Sequence, residues 1–334
     1  MKKIFSLILV AAMALSMVGC GSEEKEALKF GMGVNAYISD ASDADGDTNG
    51  EGEVVATVAA VLVDGKGKIV KCELDTADNT VAYTSEGKYV ANDSFATKYE
   101  QGADYGMVAY GGATKEWFEQ ADAFESVVVG KTIDEVKALV VDGYAGNDEV
   151  IKAGCTIGVS DFVGAVEKAV ESAADSAATE DATLQVSAVT TQSGSDASEE
   201  AEGANELDIT FAAAAVDKDG KVIVTGIDTL AVSFTFDVAG VSSVDTAAAL
   251  STKGELGANY NMAAYGADLN GDGVVKEWNE QAQAFAEACV GKTASEIAGL
   301  SNGEGYGSDD VQKAGCTIGV TSFVEAVTKA ATIG

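Results

Sequence analysis

Residues 153–159 read Ala-Gly-Cys-Thr-Ile-Gly-Val, and the same seven residues recur at positions 314–320. Thr156 and Thr317 occupy the same place in the two segments, which sets an offset of 161 residues (317 − 156 = 161). Each segment leads directly into a run with apolar residues at helical spacing. A glycine-containing loop that opens into a helix therefore occurs twice in the chain.

The repeat extends well beyond this loop. Lys-Glu-Trp at 115–117 recurs at 276–278, and Gly-Lys-Thr at 130–132 recurs at 291–293, both with the offset of 161 residues (276 − 115 = 161). A repeat of this length indicates tandem domains, because the repeats of solenoid proteins span about 20–50 residues. We therefore predict two copies of one domain.

The offset changes further upstream. Thr97-Lys98-x-Glu100 matches Thr252-Lys253-x-Glu255 at 155 residues (252 − 97 = 155), so the second copy holds about six additional residues near 268–273. A small, acidic stretch separates the copies. The predicted boundaries are residues 30–174 for the first domain, 175–182 for the linker and 183–334 for the second domain.

Each copy contains the pattern of an antiparallel hairpin. Residues 54–63 are rich in β-branched and small apolar residues, and a glycine-containing turn separates them from a second such run at 69–74. The second copy repeats the pattern at 209–216 and 222–227. These segments predict two paired strands in each domain.

Helices are predicted after the hairpin. A helix from about residue 115 carries Trp117, Ala121, Phe124 and Val128 on one face, and a final helix near residue 160 has its own apolar stripe. Ser160 and Thr321 are plausible N-caps of the final helices. The predicted fold class is α+β, with two tandem copies that each contain an antiparallel sheet or hairpin followed by helices. The second copy carries Trp278, Ala282, Phe285 and Cys289 at the equivalent positions of the first helix.

The composition excludes several function classes. The 334 residues include 54 acidic and 21 basic ones, giving a net charge of −33, so nucleic-acid binding through phosphate neutralisation is not expected. The chain has no His, which excludes Ser-His-Asp and Cys-His catalysis and histidine metal sites. It also has no Pro, so glycines must form the turns.

The N-terminus has the pattern of an export signal. Two lysines precede an apolar run at residues 4–18, which is short for a membrane span. Met17-Val18-Gly19-Cys20 matches a lipobox, so we expect lipid on Cys20 and attachment to the extracytoplasmic face of the cell membrane. The alternative is an ordinary signal peptide in which Cys20 is incidental. The predicted boundaries are residues 1–20 for the signal peptide and 21–29 for a polar tether.

The repeated loop also suits an anion. Its Ala-Gly-Cys-Thr part is small, contains glycine and ends in a hydroxyl, and a predicted helix begins a few residues later. Backbone N–H groups and a helix N-terminus both favour a phosphate at such a place.

Ala153-Gly154-Cys155-Thr156, together with the apolar pattern of residues 162–170, resembles the end of FMN-binding domains. These domains occur in subunits of membrane redox pumps and in surface flavin lipoproteins. In that family a flavin transferase joins the phosphate of FMN to the Thr hydroxyl. The resemblance implies Thr156 and Thr317 as acceptors, with the loop residues Gly154, Cys155, Gly315 and Cys316 beside the cofactor. The competing interpretation is a loop kept only for packing.

Other repeated residues are candidates for the same site. Lys98 and Lys253 could face a phosphate or the anionic reduced flavin, or could instead pair with Glu100 and Glu255. Trp117 and Trp278 are assigned to the core. The candidate walls of an isoalloxazine ring are Tyr105, Met107, Tyr260 and Met262.

The cysteines are interpreted mainly as small buried residues. Cys155 and Cys316 could form a redox thiol or a disulfide, but we favour burial. Cys289 takes a core position, and Cys72 aligns with Thr225, so no disulfide framework is repeated.

Two acidic segments suggest calcium. Asp268, Asn270 and Asp272 match the first half of an EF-hand loop, but Asn279 stands where a bidentate Glu is needed, so a solvated turn is the competing interpretation. Asp43, Asp45 and Asp47 in the segment 39–53 also suggest calcium but lack the glycine at position 6, so this segment is interpreted as an acidic, mobile loop.

We therefore expect a lipid-anchored electron carrier with covalent FMN, loaded by a flavin transferase and served by a membrane redox partner. One alternative is a non-catalytic cell-envelope binding or structural lipoprotein that keeps the fold without flavin and is stabilised by calcium. Another is a carrier of noncovalent ligands. A yellow colour separates the first from the second, and loss of flavin on denaturation would indicate the third.

Overall fold

The computed structural model describes residues 25–265 and 275–332. The α+β class is confirmed, with antiparallel sheets and helices in both copies. The strands are β1 (Lys29–Ser42), β2 (Gly50–Val63), β3 (Ile69–Tyr83), β4 (Tyr89–Val90), β5 (Val140–Val141), β6 (Ala145–Gly146), β7 (Ala174–Asp175), β8 (Thr183–Ser195), β9 (Gly203–Val216) and β10 (Val222–Phe236). The helices are α1 (Lys98–Gln101), α2 (Trp117–Val128), α3 (Ile133–Lys137), α4 (Asp148–Ala153), α5 (Ser160–Ser172), α6 (Lys253–Leu256), α7 (Met262–Tyr265), α8 (Trp278–Cys289), α9 (Ala294–Ala298), α10 (Asp309–Ala314) and α11 (Thr321–Ala330).

Each copy is built on a meander of three long strands. The first sheet has the order β4-β3-β2-β1-β7 and the second has the order β10-β9-β8. The predicted hairpins correspond to β2–β3 and β9–β10, although these strands are longer than the predicted segments. The first strand of each meander, β1 and β8, was not predicted.

The interpretation of residues 39–53 as a mobile loop is wrong. β1 continues to Ser42 and β2 begins at Gly50, and a tight turn closes the hairpin through the Asp45 N–H bond to the Thr48 carbonyl at 3.0 Å. The acidic side chains of this segment are mostly exposed. Strand pairing uses only the backbone, so it tolerates charged side chains that face water.

Helices cover one face of each sheet. α2 and α5 pack on the first sheet, and α8 and α11 pack on the second. The predicted apolar faces are confirmed, and Trp117 packs edge-on against Phe162 with ring centroids 5.7 Å apart, as Trp278 does against Phe323. None of the helices in the described part of the chain is both long and apolar enough to cross a membrane.

The N-cap assignments were wrong by one residue. α5 and α11 begin at Ser160 and Thr321, so the N-caps are Val159 and Val320, which have no side-chain cap. Val159 lies outside helical geometry, with a φ of −119°, and helical geometry begins at Ser160.

The uncovered faces of the two sheets pack against each other. Small residues allow this close approach: a Cβ on Gly52 would collide with the ring of Phe234 in the opposite sheet. Tyr83 and Phe236 stack across the interface with centroids 4.5 Å apart. The two copies therefore form one body of four layers, helix on sheet on sheet on helix.

The contacts between the copies are reciprocal. Ala44 N–H donates to the Gly240 carbonyl at 2.8 Å, and the equivalent Ala197 N–H donates to the Gly87 carbonyl at 2.8 Å. Two ion pairs repeat the arrangement. They join Lys329 to Glu100 at 2.8 Å and Lys168 to Glu255 at 2.6 Å. Such exchange of equivalent contacts is the pattern of a two-fold dimer interface, here within one chain.

The predicted linker is part of this packed body. Ala178 is fully buried, and its carbonyl accepts a hydrogen bond from the Leu28 N–H at 2.8 Å. At the start of the segment, β7 pairs with β1. Residues 175–182 are therefore held against the first sheet.

Candidate functional site

The repeated loop joins two helices in each copy. Gly154 ends α4 and Gly315 ends α10, with φ of 109° and 108°, a conformation that glycine adopts without strain. The next residues, Cys155 and Cys316, are fully buried in the helix-covered cores. Their side chains cannot reach a ligand at the surface, so only their backbone remains available to one.

The candidate acceptor threonines are held by a glutamine from the neighbouring helix. In the first copy the N–H and the hydroxyl of Thr156 donate to Oε1 of Gln120 at 2.8 and 3.0 Å. In the second copy Thr317 makes the same two bonds to Gln281, again at 2.8 and 3.0 Å. A hydroxyl that donates to an amide keeps both lone pairs free to accept or to attack. Thr156 is exposed and Thr317 is half-buried.

Each residue of the Lys-Glu-Trp repeat has a role around this loop. The Lys276 ammonium lies against Gly315, where a Cβ would collide with it, and donates to the Ala314 carbonyl at 3.2 Å. The Glu277 carboxylate accepts from the Met262 N–H at 2.9 Å. Trp278 follows at the start of α8. The repeat thus places a positive charge beside the loop and, through Glu277, holds the segment that contains the predicted ring-wall residue Met262.

The first copy contains the same arrangement. A Cβ on Gly154 would collide with the Lys115 ammonium. Glu116 accepts from the N–H groups of Met107 and Val108 at 2.9 and 3.3 Å.

A cavity of about 220 Å³ lies beside the loop in the second copy. The predicted residues Lys253, Tyr260 and Met262 meet there. The Lys253 ammonium lies 5.5 Å from the centroid of the Tyr260 ring. The lining consists of Thr191, Asp208, Thr210, Thr229, Lys253, Tyr260, Met262, Trp278, Ile318, Gly319, Ser322 and Phe323.

Nine of these twelve lining residues are identical in the first copy. The three exceptions are Thr191, Asp208 and Ser322, which correspond to Tyr37, Val55 and Asp161 by strand register and by the 161-residue offset. The identical equivalents are Thr57, Thr76, Lys98, Tyr105, Met107, Trp117, Ile157, Gly158 and Phe162.

The lysines do not pair with the nearby glutamates, so that alternative was wrong. Lys98 pairs with Asp78 on β3 at 2.8 Å, and Lys253 pairs with Asp208 on β9, also at 2.8 Å. Residues two apart in a helix do not face each other, which separates Lys98 from Glu100. Burial is the largest single influence and disfavours the charged amine, but the charge of Asp78 and the interactions with Asp78 and Tyr105 together outweigh it and raise the pKa of Lys98.

The cysteines are inert structural residues. The four in the described part of the chain are free and buried, and burial raises the pKa of Cys155 and Cys316 to about 11 and that of Cys289 to about 12. Burial also raises the pKa of Cys72 well above its usual value. Thiols with such pKa values stay protonated at neutral pH, which disfavours redox or nucleophilic chemistry.

Two predicted sites fall outside the described residues. These are the lipidation site Cys20 and the calcium candidates Asp268, Asn270 and Asp272. Within residues 25–265 and 275–332, no three Cys, Asp or Glu side chains are grouped so that they could hold a metal ion. Asp43, one of the three aspartates considered for calcium in residues 39–53, instead accepts from the Ser242 N–H at 2.9 Å.

Sequence reasoning assigned no role to three residues around the loop. Gln120, Lys115 and Glu116 all recur at the 161-residue offset, so the alignment of the copies contained the signal. The hydroxyl pairs Thr57–Thr76 and Thr210–Thr229, at 2.8 and 3.0 Å, were also missed. They lie on strands far from the loop in sequence.

Comparison with known proteins gives a partial similarity. The chain is 36% identical over 94 residues to a chlorophenol reductase from Desulfitobacterium hafniense, a match that covers 24% of this chain and 29% of that protein. The chain therefore matches less than a third of the length of this relative. No family model and no solved structure matches.

The residues around the loop fit part of an FMN molecule. The cavity is smaller than the pockets of about 300–1,000 Å³ that enclose drug-sized ligands, so it suits a ring and not a whole cofactor. Its aromatic and thioether side chains suit a flat ring, and its hydroxyls offer polar contacts. Thr317 directly precedes the lining residue Ile318.

The supporting glutamine should contribute measurably to stability. Replacing Gln281 by Met removes the acceptor shared by the N–H and hydroxyl of Thr317, and we expect the free energy of unfolding to fall by about 1–3 kcal/mol. Gln283 lies exposed on the same helix, so Gln283→Met should change it by less than about 0.5 kcal/mol. Denaturant unfolding measures both, and equal losses in the two variants would contradict this role for Gln281.

Proposed function

We propose that this protein carries FMN, attached through its phosphate to Thr317 and Thr156, as an electron-transfer protein. The observation that carries the proposal is the set of nine identical lining residues beside two identically held threonines. Strand residues, helix residues and loop residues all contribute to this set. Packing alone would not require the polar members, namely the lysine and the two threonine hydroxyls.

Each group around the loop has a part in this proposal. The Thr317 hydroxyl is the acceptor for the phosphate, with its proton directed toward Gln281. The Lys276 ammonium beside Gly315 offsets phosphate charge in a chain that is otherwise strongly acidic. Tyr260 and Met262 hold the ring, and Lys253 supplies positive charge at its edge. Bound FMN would accept and release electrons.

The proposal assigns the chain a carrier role and no substrate turnover. The chain has no His, and Lys98 and Lys253 are held in ion pairs, so the site offers no evident general base near neutral pH. The partial relative is named a reductase, an activity that moves electrons, which agrees with a redox role for the shared segment.

The proposed location follows from the N-terminal pattern. Lipid on Cys20 would anchor the chain at the extracytoplasmic face of the cell membrane. A flavin transferase would load the threonines there, and a membrane redox partner would exchange electrons with the flavin. Tethering would keep the flavin close to that partner.

A second candidate is a cell-envelope binding or structural lipoprotein without flavin. One observation favours it: the site is already satisfied without a ligand, because the lysines pair with aspartates and the threonines bond to glutamines. A calcium ion at Asp268, Asn270 and Asp272 would belong to this candidate.

Visible absorbance distinguishes the two candidates. Protein purified from its native membrane should be yellow, should bleach with dithionite and should recover its colour in air. The colour should stay with the protein after denaturation, since the proposed bond is covalent. Thr156→Ala combined with Thr317→Ala should remove it, while Thr156→Ala combined with Thr317→Ser should keep part of it as a control. A colourless native protein would favour the second candidate.

A further inference from the structure

We infer that the two copies are not equivalent: the cavity of the second copy seats the ligand ring, and the side chain of Tyr37 fills that place in the first copy. The inference rests on the proposed function only in naming the ring as the isoalloxazine of a flavin. It concerns where a ring can bind and does not depend on covalent attachment.

The correspondence between Tyr37 and Thr191 follows from strand register. Tyr37 pairs with Val55 across β1 and β2, and Thr191 pairs with Asp208 across β8 and β9. Val55 and Asp208 are equivalent positions, 153 residues apart (208 − 55 = 153). A tyrosine therefore stands where the cavity of the second copy is lined by a threonine.

The phenol of Tyr37 lies among the first-copy counterparts of the cavity lining. Tyr37 keeps 39% of its surface exposed. Its phenol interacts with Asp161, which corresponds to the lining residue Ser322, and with Lys98, which corresponds to Lys253. Burial, with the charge of Asp161, raises the pKa of Tyr37 to about 12, so the phenol remains a hydrogen-bond donor at neutral pH.

Two of the three substitutions make the first-copy site less suited to a ring, one by adding bulk and the other by adding negative charge. Tyr37 is much larger than Thr191, and Asp161 adds a carboxylate where Ser322 is neutral. The Asp161 carboxylate also accepts from Asn35 Nδ2 at 3.5 Å, which ties it to β1. The third substitution, Val55 in place of Asp208, removes a carboxylate, but Asp78 pairs with Lys98 as Asp208 pairs with Lys253, so Asp161 is the additional negative charge in the first copy. The larger Tyr37 narrows the first-copy site, and the additional carboxylate disfavours a ring that gains negative charge on reduction.

The walls of the second-copy cavity indicate the class of ring. Tyr260, Trp278 and Met262 suit stacking against a flat aromatic system. The paired hydroxyls of Thr210 and Thr229 suit a ring edge with hydrogen-bonding atoms. A planar heteroaromatic ring meets both requirements, and the isoalloxazine ring is such a system.

Titration with riboflavin tests the inference, because it has the flavin ring but no phosphate to attach. The full-length protein, prepared without flavin, should bind one riboflavin per chain. Thr191→Tyr should abolish binding, and Tyr37→Thr should raise the stoichiometry to two. Tyr37→Phe keeps the bulk of the ring and should leave the stoichiometry at one.

The two tryptophans locate the bound ring independently. Trp278 lines the cavity and Trp117 holds the equivalent place in the first copy, so each reports on one site. Riboflavin should quench fluorescence in Trp117→Phe, where Trp278 remains, and not in Trp278→Phe. Because a tyrosine is accommodated at this place in the first copy, an unchanged melting temperature serves as the folding control for Thr191→Tyr.

The outcomes separate this inference from the proposed function. Two riboflavins per chain in the unaltered protein, no binding at all, or unchanged binding in Thr191→Tyr would each overturn the inference. FMN found on the threonines would uphold the proposed function in every one of these cases. A single riboflavin site without any attached FMN would uphold the inference and remove the proposed covalent carrier.

Discussion

Replacing Phe234 by Ala should lower the free energy of unfolding of the whole chain by about 3–5 kcal/mol, the usual cost of truncating a buried phenylalanine. Phe234 is fully buried, and its ring packs over Gly52 in the sheet of the other copy. The cavity that the substitution leaves lies between the copies. We therefore expect it to destabilise both of them together.

Single-tryptophan variants measure whether the copies unfold together. Trp117 and Trp278 are the two tryptophans of the chain, one in each copy. In the Trp117→Phe and Trp278→Phe backgrounds, Phe234→Ala should shift the denaturant midpoint equally. Val238→Ala is the matched control, because Val238 is exposed and its loss should change stability by less than about 0.5 kcal/mol. Separate transitions for the two copies would contradict the packed four-layer body.

The second large effect concerns pH. Glu125 on α2 is buried beside Glu73, Asp75 and Asp122, and its carboxylate accepts from the Leu74 N–H at 2.7 Å. Burial first, then the charge of Glu73, raises the pKa of Glu125 to about 9, and burial raises the pKa of Glu73 to about 7.

The sign of the pH effect follows from these raised values. Between about pH 4.5 and 9 the folded protein holds a proton on Glu125 that the unfolded chain has released, so stability falls as pH rises through this range. Asp75, with a pKa raised by burial to about 7, acts in the same direction. Each pKa unit corresponds to about 1.4 kcal/mol.

Substitution of Glu125 tests this account. Glu125→Gln keeps an acceptor for the Leu74 N–H and removes the charge, so at pH 9 it should raise the free energy of unfolding by at least about 1.4 kcal/mol, the value of one pKa unit. The gain should shrink toward pH 5. Glu86→Gln, at an exposed position, should leave the free energy of unfolding unchanged at both pH 9 and pH 5. An unchanged pH slope in Glu125→Gln would contradict the cause we assign.

The sequence predicted the helices and the central hairpins well, because their apolar patterns are strong. It also contained a sign of the packed interface: residues 54–63 are almost entirely apolar, which is typical of a strand buried on both faces. That run was assigned only to a strand. β1 and β8 were missed because they mix glycine with polar residues such as Asn35 and Gln185, which blurs the alternation of a strand.

Only the part of the site whose residues are close together in the repeated sequence was predicted. Lys253, Tyr260 and Met262 were found because they recur near one another along the chain, and the structure brings them to one cavity. Asp78 and Asp208 pair with equivalent lysines from different strands, so the repeat could not reveal them. The role of Tyr37 was hidden because it lies on an unpredicted strand, where the copies differ.

The intact mass of the protein purified from its native membrane tests the central claim most directly. The account predicts additions of the mass of FMN beyond the lipid, with the addition at each site lost in Thr156→Ala or Thr317→Ala. Thr332→Ala, at an exposed position outside both loops, should keep every addition. A mass that shows lipid alone, without visible flavin absorbance, would contradict the account.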